Sequence, residues 1–89
     1  MERKDVLKAI ESERDYQLET EDKDGSHVVS SLNMGGILSA IDHNMNKAKE
    51  SWYYEKHPYP MTKEYLRKVA ALCLKAGEDH GMSERKVEN

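Results

Sequence analysis

The 89-residue sequence contains no phenylalanine and only one cysteine, Cys73. One cysteine cannot form a disulfide within the chain or supply a thiolate zinc site, so the sequence predicts a reducing compartment, the cytoplasm. No apolar run approaches the roughly 18 residues of a membrane span. The first residues also lack the apolar stretch of a signal peptide. We therefore expect no membrane partner and no secretion.

Apolar side chains are also scarce. They make up 37% of the chain and charged residues 35%, against about 45–50% and about 25% in typical globular domains. A chain of this length buries only roughly 60–65% of the surface that its unfolded form exposes. We expect one thin-cored domain that is completed by oligomerisation. A net charge of −3 argues against generic nucleic-acid binding, which normally needs a basic surplus.

Helix-forming sequence is plentiful. Apolar residues recur at helical spacing in three segments, and no alternating strand pattern is long enough to compete. The sequence predicts a small all-α three-helix bundle within residues 1–82, followed by a polar tail at 83–89. The helices are expected at about 2–18, 27–55 and 62–80.

Local signals set the first of these boundaries. The stretch from 19 to 25 is acidic and ends in Asp24-Gly25, a common turn pair. Ser26 follows and is a suitable N-cap, because its hydroxyl can accept from a free backbone amide one turn later. We therefore expect a loop between the first two helices that ends at Ser26.

Prolines set the second boundary. Pro58 and Pro60 lack an amide donor and bias the preceding residue towards extended geometry, so they are expected to end the second helix. Thr62 is the expected N-cap of the third helix. Gly81 is expected to end that helix as a left-handed cap.

The second helix carries an apolar seam that suggests an oligomer interface. Its members recur at steps of four and three residues for nearly three heptads, which suits a packed partner helix. They are Met34, Leu38, Ile41, Met45, Ala48 and Trp52. We expect the oligomer interface to use five of them: Met34, Leu38, Ile41, Met45 and Trp52.

Two burial predictions follow from the same patterns. Cys73 stands between Leu72 and Leu74 and is expected to be a small buried hydrophobe, not a nucleophile. Trp52 is expected in the core because it lies on the seam. The neighbouring tyrosines are better candidates for binding, although the aromatic cluster could equally close the end of the bundle.

Charge is unevenly distributed along the chain. Residues 11–24 hold seven acids and two bases, whereas residues 41–75 hold seven bases and four acids. These patches could join copies of the chain, or the basic one could meet phosphates. The alternative is two ordinary solvated faces.

Two motifs resemble a known group of proteins. The string AIESERDYQ at residues 9–17, and LRKVAAL at 66–72 followed by EDHG at 78–81, resemble the opening and closing motifs of small bacteriophage and prophage helical proteins. The resemblance covers roughly residues 6–81. In helical layout these proteins are distantly similar to the MazG-like all-α nucleoside triphosphate pyrophosphohydrolases.

The resemblance also implies a loss. MazG-like enzymes hold magnesium with carboxylates on two helices, in EExxE and ExxD patterns. At the corresponding positions this chain has Asp42, His43 and Asn46, then Tyr65 and Lys68. One carboxylate is too few for a hard divalent cation. We therefore expect no metal site, no cofactor and no catalytic residues, although Glu11, Glu13 and Glu64 remain for a rearranged site.

These observations favour a non-catalytic phage accessory protein in the host cytoplasm. It would act by binding a nucleotide-like ligand, or a host or defence protein, on a degenerate MazG-like scaffold. The alternatives are a magnesium-dependent pyrophosphohydrolase with rearranged carboxylates, and a purely structural or regulatory helical oligomer. The expected ligand-binding residues are Arg14, Gln17, Lys47, Tyr53, Tyr54, Arg67 and Lys68. For Arg14 and Gln17 the alternative is a hydrogen-bond network that positions the first helix.

Overall fold

The computed structural model describes residues 1–24 and 33–86, and the side chains of residues 1–20 and 33–86. The described residues form three helices, which we label α1 (Arg3–Asp24), α2 (Met34–Tyr54) and α3 (Pro58–His80). These described ranges contain no strand, so the predicted all-α three-helix fold is confirmed. Within them, no helix combines the length and hydropathy that a membrane span requires.

Helix α3 is the centre of the fold because it packs against both other helices, more extensively against α2 than against α1. Only residues 55–57 separate α2 from α3, so the two helices form a hairpin. Near its turn, the hydroxyls of Ser51 and Thr62 lie 2.7 Å apart. The buried apolar residues are few and mostly small: Ile37, Ala48, Ala71, Leu72 and Ala76.

Helix α1 extends beyond the predicted end at residue 18, to Asp24. The acidic stretch contains no glycine or proline before Gly25, and glutamate is a good helix former, so the helix continues. The Thr20 hydroxyl is accommodated within it by donating to the carbonyl of Gln17, 3.0 Å away. The expected turn at Gly25 and cap at Ser26 lie outside the described residues.

The predicted continuous helix from about residue 27 is wrong at Asn33, because the backbone of Asn33 is extended and this residue is the N-cap of α2, which begins at Met34. The Asn33 side chain accepts from the amide of Gly36 at 2.8 Å. It ends at Tyr54, one residue before the predicted end.

The expected start of α3 at Thr62 is wrong, because the helix begins at Pro58. The first four amides of a helix have no intrahelical acceptor, so prolines at 58 and 60 remove no helical hydrogen bond. Their fixed backbone angle suits the first turn. Thr62 lies inside the helix and bonds Ser51 instead of capping.

Two burial predictions are also wrong. Cys73 is exposed, because Leu72 and Ala76 form the buried face of α3 and the next residue points about 100° away around the helix. Trp52 is exposed as well. Its ring meets the edge of Tyr59 with centroids 5.1 Å apart, so the two aromatics stabilise the turn between α2 and α3.

Gly81 ends α3, as predicted, with a positive φ of 85°. Its ψ of 151° is extended, which differs from the predicted left-handed helical cap. The Gly81 amide donates to the carbonyl of Gly77 at 2.9 Å and closes the last turn.

Substituting alanine at the two glycines of this turn is expected to have opposite effects. At Gly77 a Cβ would meet Met82 at an ordinary 3.5 Å, so Gly77→Ala should raise the free energy of unfolding by up to about 1 kcal/mol. Gly81→Ala should lower it by about 1–3 kcal/mol, because the combination of φ 85° and ψ 151° is one that essentially only glycine adopts. Urea unfolding followed by circular dichroism at fixed protein concentration measures both; equal shifts in the same direction would contradict the assigned conformations.

Candidate functional site

Two adjacent charged residues of α1 are almost completely buried. Glu13 is 5% exposed and Arg14 is 4% exposed. The Glu13 carboxylate accepts from Arg67 Nε at 2.8 Å, and Arg14 Nε donates to both carboxylate oxygens of Glu78 at 3.1 and 3.2 Å. The opening motif of the sequence therefore binds the closing motif through two reciprocal ion pairs.

These pairs define how α1 crosses α3. Arg67 and Glu78 are separated by eleven positions (67 to 78), which is about 16 Å along a helix. Two consecutive residues of α1 can reach both only if their side chains diverge along α3. We conclude that α1 lies across α3 at a steep angle and not alongside it.

Each ion pair belongs to a balanced group of four charges. The first ion cluster comprises Glu13, Glu64, Arg67 and Lys68. The second ion cluster comprises Arg14, Lys75, Glu78 and Asp79. Each has two acids and two bases, which is what burial of charged groups requires.

The first ion cluster lines a cavity of about 310 Å³ between α1 and α3, which we call the charged cleft. Its six lining residues are Ser12, Glu13, Tyr16, Glu64, Arg67 and Lys68. Arg67 donates to both carboxylates there. These contacts, with the Glu13 hydrogen bond first, raise the pKa of Arg67. A fixed guanidinium therefore bridges the two acids.

Lys68 differs from Arg67 because Glu13 does not accept a hydrogen bond from its ammonium. Its Nζ lies 3.8 Å from Glu13 Oε2, which is too far for a hydrogen bond. Tyr16, on the α1 side of the cleft, is 58% exposed. The cleft thus presents an ammonium and an aromatic ring to solvent, next to two carboxylates that are already paired.

Gln17 lies one turn after Glu13 on the same side of α1. Its Oε1 is buried and accepts no hydrogen bond from any residue in the described part of the chain. Buried acceptors in native proteins usually have a partner, which includes water or a ligand. Gln17 therefore carries a buried oxygen without a hydrogen-bond partner among the described residues.

The second ion cluster contains the most deeply buried charge. Lys75 is 2% exposed and its Nζ donates to Asp79 Oδ2 at 2.7 Å. This hydrogen bond lowers the pKa of Asp79, and the charges of Lys75, Arg14 and His80 add to the effect. The cluster stabilises the contact between α1 and the end of α3.

The seven predicted ligand residues do not form one site. Arg67 and Lys68 line the charged cleft, and Gln17 lies one turn from it on α1. Arg14 is buried in its pair with Glu78, which agrees with the structural alternative for that residue.

The other three lie near the turn between α2 and α3. Lys47 and Tyr54 line a separate depression of about 380 Å³, and Lys47 pairs with Glu50 at 3.7 Å. Tyr53 is largely exposed.

Sequence reasoning missed four cleft residues as ligand candidates: Ser12, Glu13, Tyr16 and Glu64. Three of them lie within the opening motif, and that position was the sequence signal that could have identified them as ligand candidates.

The seam of α2 is divided between inside and outside. Ala48 is buried, and Ile41 and Met45 are half-buried. Met34, Leu38 and Trp52 are exposed. An interface through this seam stays a prediction.

The carboxylates available for a rearranged metal site do not lie together. Glu13 and Glu64 meet in the charged cleft, but Arg67 binds both of them. Glu11 lines a different groove. Among the residues that the structure describes, no group of three or more histidine, cysteine or acidic side chains is placed to hold a metal ion.

Comparison with family models, curated proteins and solved structures found no match to this chain. The fold by itself defines a three-helix protein with a charged cleft between α1 and α3. The phage and MazG-like resemblance stays a prediction from the two motifs.

The pair between Glu13 and Arg67 is expected to contribute coupling energy to folding. In a double-mutant cycle of Glu13→Gln and Arg67→Gln, we expect a coupling of about 1–2 kcal/mol, because Glu13 is buried. Urea unfolding of the four proteins gives the value. The exposed pair Lys47 and Glu50 is the control and should couple by less than about 0.5 kcal/mol. Equal coupling in both cycles would contradict the role assigned to Glu13.

Asp79 is expected to make stability sensitive to acid. Because folding lowers its pKa below the ordinary 3.8, its contribution is present above that value and is lost as pH falls through the lowered pKa. Protonation would leave the buried Lys75 without its acceptor. Urea midpoints of wild type and Asp79→Asn measured from pH 5 downwards should converge at low pH. Parallel curves would contradict this assignment.

Proposed function

We propose that this protein is a non-catalytic binding protein whose charged cleft holds a small nucleotide-like ligand. One observation carries the proposal: the ammonium of Lys68, the ring of Tyr16 and the carboxylates of Glu13 and Glu64 surround one cavity of about 310 Å³. Ligand cavities in proteins begin at about this size.

The chemistry of the lining matches the two halves of a nucleotide. A phosphate suits the donors of Lys68 and the outer guanidinium of Arg67, since charge-assisted hydrogen bonds are the stronger ones. A base can stack on Tyr16, because every base has a π face. Amino or imino groups of a base can donate to Glu64, whose side chain is 42% exposed.

Charge balance selects among anionic ligands. The cleft holds two acids and two bases, so it gives no net attraction to a group that carries only acceptors. An inorganic phosphate chain would meet two carboxylates as well as two cations. A nucleotide supplies donors on its base for Glu64, the more exposed of the two carboxylates, and an anion for the cations. We therefore expect nucleotides to bind better than inorganic phosphates.

Binding without catalysis agrees with the state of the carboxylates. A divalent cation needs several oxygen ligands, and Arg67 already occupies the space between Glu13 and Glu64. The protein would act by occupancy and remove a nucleotide from solution. Its resemblance to small phage proteins suggests the setting, a host cytoplasm in which the ligand is a host signal.

Isothermal titration against mono-, di- and cyclic nucleotides tests the proposal. We expect at least one to bind, and Lys68→Gln to weaken it about tenfold, which corresponds to about 1.4 kcal/mol. The matched control is Lys49→Gln, because Lys49 is exposed on α2, outside the charged cleft. Its affinity should stay unchanged, and both variants should keep the wild-type helical content.

Three outcomes would contradict the proposal. If no nucleotide binds, the cleft is not a nucleotide site, and a host or defence protein becomes the better candidate partner. If both lysine variants lose affinity equally, the ligand binds elsewhere. If wild type releases pyrophosphate from triphosphates with magnesium, and Glu13→Gln abolishes this, the protein is a hydrolase.

A second candidate function is a structural or regulatory helical oligomer. It is favoured by the number of large apolar side chains that the chain leaves exposed, on α2 as well as on α1 and α3. Such a protein needs no ligand in the charged cleft. Titration alone therefore distinguishes the two candidates only if a nucleotide binds.

A further inference from the structure

Apolar side chains of α1 and α3 line a surface with two adjoining grooves of about 640 and 440 Å³, which share Ile10 and Ala70. We call this surface the apolar face and define it by Val6, Leu7, Ile10, Leu66, Ala70 and Leu74.

Among the described residues, more large apolar side chains are exposed on the apolar face than are buried in the core. Leu7, Leu66 and Leu74 are 50%, 45% and 38% exposed. In the described part of the chain, the buried apolar residues larger than alanine are Ile37 and Leu72. Continuous apolar patches of this kind in soluble proteins mark interaction surfaces.

We propose that a second copy of this chain covers the apolar face in a twofold dimer. A twofold interface places the same patch on both partners, so the patch must be complementary to itself. The apolar face meets this condition in chemical character, because aliphatic side chains line both of its grooves. The shared residues Ile10 and Ala70 place the axis between the two grooves.

Charges at the two ends of the apolar face support this arrangement. Lys63 lines the smaller groove, whereas Glu11 lines the larger one. A twofold rotation about the shared centre exchanges the grooves. Lys63 of one copy then faces Glu11 of the other, and this pairing of opposite charges occurs twice.

The exposed part of the α2 seam fits this role less well. Its exposed members are spread along one helix, and Leu38 and Trp52 are fourteen positions apart (38 to 52), about 21 Å. Leu38 is 58% exposed, more than any leucine of the apolar face. It therefore supplies a matched control. The dimer proposal does not depend on the ligand of the charged cleft.

Sedimentation equilibrium of four proteins tests the proposal. We expect wild type and Leu38→Glu to have twice the chain mass of 10.3 kDa, and Leu74→Glu to sediment as a monomer. Leu7→Glu should also be monomeric. Because Leu7 is more exposed than Leu74, this variant replaces Leu74→Glu in the test if Leu74→Glu does not fold. A monomeric wild type would overturn the proposal, and so would a dimer that only Leu38→Glu dissociates.

Charge reversal tests the twofold geometry separately. Lys63→Glu should raise the dimer dissociation constant about tenfold by placing like charges together. Adding Glu11→Lys to it should restore the wild-type value, because the exchanged charges again meet their opposites. Failure of the double variant to recover, while Leu74→Glu is monomeric, would refute the twofold arrangement.

Cys73 provides a readout that needs no mutation. It lines the larger groove, so dimerisation should cover its thiol. Its reaction with a maleimide should slow at least about tenfold on concentrating the protein across the dimer dissociation constant, since reaction requires an accessible thiol. A rate independent of protein concentration would count against the apolar face as the interface.

Discussion

The position of α1 depends on one pair of neighbouring residues, Glu13 and Arg14. Both are almost completely buried, and a buried charge is costly unless it is paired. Their partners, Arg67 and Glu78, lie on α3 at distant points. Apolar contact alone does not place α1, because Val6 and Leu7 remain largely exposed. The ion pairs therefore decide where this helix lies and at what angle.

A steep crossing of two helices leaves a wedge of space on each side, and here the two wedges differ in character. One is the charged cleft, lined by the first ion cluster. The other adjoins the apolar face. Arg67 contributes to both, because it bridges two acids in the cleft and also lines the smaller apolar groove. A ligand in the cleft and a second copy on the apolar face would therefore bind to neighbouring surfaces of one helix.

Individual residues show how far the sequence predicts this arrangement. The sequence places Glu13, Arg14 and Arg67 in the two motifs, but it does not predict their pairing, since 54 and 64 positions separate the partners. The flanking residues Leu72 and Leu74 predict a buried Cys73. In a helix adjacent residues point in different directions, and the structure buries Leu72 and exposes Cys73. Tyr16 and Glu64 joined the cleft only through the crossing of their helices.

The sequence by itself determined three helices, because helix propensity, proline position and apolar periodicity act within a few residues. It also determined that the core would be thin, since apolar residues are scarce. Tertiary structure alone decided which faces are buried, how α1 crosses α3, and that four charges gather around one cavity. The physical reason is that ion pairs between distant segments set the crossing, and no local pattern encodes the distance between their partners.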